Sequence, residues 1–68
     1  MCNPEFTDRI RSLIEELITH TDSLRLRFND VQESYREGNL GEDVLAAMNQ
    51  AVHQLETDSG EFERLLEA

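Results

Sequence analysis

Apolar residues recur at helical spacing on both sides of the segment Gly38-Asn39-Leu40-Gly41, and the two halves mirror each other about that point. Folded back there, the arms match layer by layer, with paired residue numbers summing to 79 or 80. Ile14 then faces Leu66, Leu17 faces Phe62 and Leu24 faces Leu55. Phe28 meets Ala51 and Val52, Val31 meets Met48, and Tyr35 meets Val44. A connection this short makes its two helices antiparallel neighbours. The fold predicted is an all-α antiparallel two-helix hairpin, about 4–37 and 40–66, forming a single domain over residues 1–68.

The helix signals agree with the pattern. Asn3 can accept from free backbone N–H groups, Pro4 suits the first helical position, and Glu5 and Asp8 favour the positive end of the helix dipole. No glycine or proline interrupts the chain from there to Glu37. With Ile14 at heptad position a, the a positions are Thr7, Ile14, Thr21, Phe28 and Tyr35, and the d positions are Ile10, Leu17, Leu24 and Val31. Gly38 fits the left-handed residue that closes a helix, followed by Leu40 as its apolar contact. Asn39 and Glu42 then read as a capping box for the second helix. That helix carries Val44, Met48, Ala51, Leu55, Phe62 and Leu65 on its seam, with Leu45, Val52 and Leu66 beside it at e. Gly60 is its weak point, at about 1 kcal/mol relative to alanine. The helix is expected to run through it; a break there would release a short third helix from Glu61.

The arms are unequal. Under the pairing rule Phe6 and Ile10 extend past Ala68, and Leu13 reaches only Glu67. A lone hairpin is thus expected to leave apolar side chains uncovered at its open end. The interface expected there comprises Phe6, Ile10, Leu13, Ile14, Leu17, Ile18, Phe62, Leu65 and Leu66. Burying one such side chain is worth about 1.5–3 kcal/mol. A 68-residue chain needs that burial, because its own core is small. Two hairpins packed into a four-helix bundle would supply it, which predicts a homodimer.

The balance of fifteen acids against six bases, all arginine, gives a net charge of −9. That disfavours nucleic acid and anionic membranes as partners, since both need cationic footprints. A basic protein remains compatible. No apolar run is long enough for a bilayer, and a cytoplasmic location is expected. The lone Cys2 precedes the first helix and excludes an internal disulfide.

One layer of the seam is polar. Thr21 at a and Asp58 at d fall at the same level, with His20, Asp22, Thr57 and Ser59 close by. The expected role of His20, Thr21 and Asp58 is to fix alignment at some cost in stability. A buried polar site or a His20–Asp58 pair is the functional alternative. His20 follows Glu16 by four and His53 precedes Glu56 by three, but the Glu-x-x-His pattern of bundle di-iron sites is absent. No metal, cofactor or catalytic residue is expected. No serine sits in a nucleophile elbow, and there is no glycine-rich phosphate loop. Arg11 and Arg25 flank the seam at e, where pairs with acids of another subunit are expected. Leu26 at f is an isolated apolar residue facing away from the seam.

In length and architecture the layout resembles two groups of small hairpin proteins. One is the dimeric plasmid copy-number regulators of the Rop type; the other is the hairpin co-chaperones of type III secretion. The RNA binding that the first implies is disfavoured by helix 1, which carries five arginines but eight acids. The function expected is therefore a non-enzymatic protein–protein interaction module, a regulator or adaptor that self-associates through its apolar seam. The alternatives are a co-chaperone that stabilises a heterologous partner helix, and an acidic decoy of a nucleic-acid-binding surface.

Overall fold

The computed structural model describes residues 3–67 and is an antiparallel two-helix hairpin. Cys2 lies outside the described residues. Helix α1 spans Pro4–Glu37 and helix α2 spans Glu42–Glu67. Neither is long and apolar enough to cross a membrane.

Both ends of α1 form as the sequence suggests. The Asn3 side-chain oxygen accepts from the N–H of Glu5 at 3.0 Å and of Phe6 at 3.4 Å. At the other end Gly38 adopts φ 73°, a left-handed conformation that costs a side-chain-bearing residue roughly 1–2 kcal/mol. The N–H of Gly38 donates to the Tyr35 carbonyl at 3.1 Å, and that of Asn39 to the Ser34 carbonyl at 3.0 Å. This pair of bonds is the Schellman closure. Asn39 does not cap the second helix, because that helix begins too late: Gly41, not Asn39, is the residue that precedes it. Helix α2 starts at Glu42 instead of 40, and the Leu45 N–H bonds back to the Gly41 carbonyl at 3.3 Å. It continues through Gly60 without a break. A Cβ at Gly60 would meet nothing nearer than the Arg64 guanidinium at 3.9 Å.

The molecule is a rod of 55 × 17 × 12 Å with a radius of gyration of 15.9 Å. A compact chain of this length would have about 11 Å. Burial is correspondingly thin. Among the described residues the only buried apolar side chains are Leu13 and Ala51, each 3% exposed, and the most buried residue is Asp58 at 1%. The rest of the seam, including Leu17, Leu24, Val31, Met48, Leu55, Phe62 and Leu65, is half-buried.

The seam differs from its expected position on α1. The side of α1 that faces α2 is the d/g stripe: Ile10, Leu13, Leu17, His20, Leu24, Arg27, Val31 and Ser34 are all buried or half-buried. The a residues Ile14, Thr21, Phe28 and Tyr35 are exposed. Apolar residues on α1 occupy g, d, a and e, an arc of about 160° at 100° per residue, and a single neighbouring helix covers about 100° of it. One flank must stay outside. The d/g flank goes in, where His20 meets Asp58 and where the small side chains of Ala47 and Ala51 leave room for the Arg27 stem. Facing residue numbers on this flank sum to 78, as His20 and Asp58 do. That register places Leu13 level with Leu65; the two line one cleft, and Leu13 is buried, not left overhanging.

Candidate interaction surface

Turning the d/g flank inward sends the other flank of α1 outward. On α1 the a positions lie next to d, away from g. On α2 the e positions lie next to a, away from d. Because the helices are antiparallel, both displacements turn toward the same side of the hairpin. The exposed apolar residues at these positions therefore share one face, while Leu26 at f, also exposed, lies off it. They also fall within one turn of each other along the rod: Ile14 with Leu66, Phe28 with Val52, and Tyr35 with Leu45, each pair of numbers summing to 80, about 3 Å from the register of the inner flank. Thr21 with Ser59 completes the series, one exposed polar level among three apolar ones. Ile18 adds to this face from e. Tyr35 is 74% exposed and Leu66 87%.

The nine interface residues read from the sequence divide between two surfaces. Leu13 is buried in the hairpin, and Ile10, Leu17, Phe62 and Leu65 are half-buried on its seam. Ile14, Ile18 and Leu66 lie on the outer face. Phe6 stands exposed near the start of α1, beyond the level of the last turn of α2. Phe28, Tyr35, Leu45 and Val52 belong to the outer face as well, and the sequence reading had assigned them to the hairpin's own seam or its edge. The width of the apolar arc on α1 was the signal that could have separated the two.

The polar layer is organised around His20 and Asp58. The His20 Nδ1 lies 2.6 Å from the Asp58 Oδ2. A carboxylate only accepts, so Nδ1 carries the hydrogen and donates. Asp58 Oδ1 is buried and makes no hydrogen bond. Thr21 takes no part: its hydroxyl donates to the Ile18 carbonyl at 3.0 Å on the exposed side of α1. Position g, occupied by His20, faces the second helix here, which is why the hydrogen bond skips Thr21. His53 is exposed and lies 3.8 Å from Glu56. Among the described residues no group of three or more histidines, cysteines and acids is placed to hold a metal ion.

Arginines border both flanks. Arg27 Nε sits 3.2 Å from Asp30 Oδ2 at an angle that makes the contact an ion pair without a hydrogen bond. Arg11 pairs with Asp8 at 3.5 Å, both well exposed, a contact of little energetic weight. Arg25 makes no ion pair among the described residues. An open cleft of about 430 Å³ lies across Leu13 and Leu65 on the d/g side, lined also by Arg9, Glu16, Glu61 and Arg64. Its walls mix both charges, with no convergent set of groups for one ligand.

Compared with known proteins, the chain matches no family model, no curated protein and no solved structure.

Proposed function

We propose that this protein is a non-enzymatic interaction module, a small acidic regulator or adaptor that works by self-association through the outer apolar face. The supporting observation is the alignment of Ile14, Phe28 and Tyr35 with Leu66, Val52 and Leu45 on one exposed side of the hairpin. Monomeric proteins rarely leave so many large apolar side chains together on one side in water. The amount of surface supports the same reading. The chain exposes 5441 Å². A compact monomer of 7.9 kDa exposes about 4,400 Å². The excess, about 1,000 Å², is close to the roughly 800 Å² that each partner contributes to a standard interface. A four-helix bundle of two hairpins is the assembly that absorbs it.

Sedimentation equilibrium of the protein beside Phe28→Asp is the test. The parent sediments as a dimer, and the variant as a helical monomer with unchanged circular dichroism shape. A parent that stays a compact monomer up to about millimolar concentration would remove self-association and leave a heterologous helix as the occupant of the face.

A further inference from the structure

Resting on that self-association, we infer how the second copy docks: the two hairpins lie side by side with both turns at the same end, each α1 packed on the other copy's α2. Two ways exist to stack this face on itself through a two-fold axis. An axis along the rod keeps both turns together and places α1 over α2 of the second copy. An axis across the rod sets the turns at opposite ends and places α1 over α1.

The order of layers separates them. Along α1 the outer levels run Ile14, Thr21, Phe28 and Tyr35, seven residues apart, with Leu66, Ser59, Val52 and Leu45 opposite them. With the axis along the rod, every level meets its own copy. Thr21 and Ser59 then meet Thr21 and Ser59, and all three apolar levels are fully overlapped. With the axis across the rod, the order is reversed. Centring that axis midway along the face puts the Thr21 level against Phe28. Centring it on Thr21 saves the polar match but slides Tyr35 off its apolar partners and onto Thr7. A mismatch of that kind desolvates hydroxyls against apolar side chains that cannot bond them. Such layers are what fix register in helical assemblies.

The charged borders point the same way. The e positions of α1, along one edge of the face, are Arg11, Ile18, Arg25 and Gln32, with no acid. The b positions of α2, along the other edge, are Glu42, Asn49, Glu56 and Glu63, with no base. Laying α1 on α2 brings the arginine edge of each copy to the glutamate edge of the other, with Arg25 near the level of Glu56. Laying α1 on α1 brings arginine to arginine and glutamate to glutamate.

The experiment places a nitroxide on Asn39→Cys in a Cys2→Ser background and reads the label-to-label distance by pulsed electron resonance. Asn39 is exposed and contributes only its backbone to the turn. Turns at the same end give a distance of about 20–30 Å, set by packed helices roughly 10 Å apart and the label arms. Turns at opposite ends give a distance near the 55 Å length of the rod. A long distance overturns the docking mode while leaving self-association intact. Absence of dipolar coupling with a monomeric mass overturns self-association itself. Charge exchange gives a second reading without labels. Arg25→Glu and Glu56→Arg each weaken dimerisation about three- to ten-fold at low salt, and the double variant restores it. Failure of the double variant to recover overturns the docking mode.

Discussion

The two flanks of α1 differ in chemistry and in what covers them. The inward d/g stripe holds His20, Arg27 and Ser34 among its aliphatic residues, and it is the one covered by α2. The outward stripe carries Ile14, Ile18, Phe28 and Tyr35 and stays in water. Hydrophobicity separates the two only narrowly: five of the eight inward residues are aliphatic, and four of the nine at the a and e positions from Thr7 to Tyr35 are apolar. Two specific contacts lie on the inward side: the His20–Asp58 hydrogen bond at 2.6 Å, and the small Ala47 and Ala51 opposite Arg27. A stripe matched in this way to one neighbour leaves the aromatic-bearing stripe available to a second one.

That comparison is broken most directly at its polar centre. His20→Leu leaves the Asp58 carboxylate buried without a partner. It is expected to lower stability by about 3–5 kcal/mol in urea denaturation. A change near zero would mean that Asp58 escapes to solvent and that the inner flank does not depend on the pair.

The apolar contrast comes next. Leu13→Ala removes one of the two apolar side chains buried among the described residues and is expected to cost about 2–5 kcal/mol. Ile14→Ala, one residue further on, removes similar atoms from the exposed flank. In dilute monomer it should change stability by no more than about 0.5 kcal/mol. Repeated at a concentration where the protein is dimeric, the Ile14 variant should fall well below the parent, because association adds to stability by mass action. Equal costs for the two variants in dilute solution would mean that the flanks are not distinct.

The hairpin itself was legible in the sequence. Its turn was marked by Gly38, the start of α1 by Asn3 and Pro4, and the continuity of both arms by their periodicity. Each of these is local: a residue type answers to its own backbone position. The facing of α1 was less legible because it depends on a choice among four adjacent heptad positions, all partly apolar. Pairing Thr21 with Asp58 found the right level but the wrong residue, because His20, one position earlier, lies on the flank that faces α2. The overhang failed at Leu13 for the same reason. A register of 78 in place of the 80 that set Leu13 against Glu67 was enough to bring Leu65 level with it. Asn39 reads as a cap by type, but the second helix starts only at Glu42, two residues later than expected, and leaves it in the turn. The outer face, by contrast, was present in the sequence as an arc too wide for one partner.

The span of chain between His20 and Asp58, 38 residues, has a consequence for the path by which the hairpin forms. Contacts beside the turn, such as the level of Ser34 and Val44, close short loops and come at small entropic cost. Each level further out closes a longer one. That ordering predicts a hairpin that zips from the turn outward, with the His20–Asp58 bond engaging after the rate-limiting step. It acts as a latch. Its loss shows in the unfolding limb of a chevron, with a faster opening rate, while the folding limb stays nearly unchanged. A slowed folding limb in His20→Leu would place the pair inside the nucleus instead. The lifetime of the closed hairpin, and with it the time the outer face stays assembled, is then governed by one bond about midway along the rod.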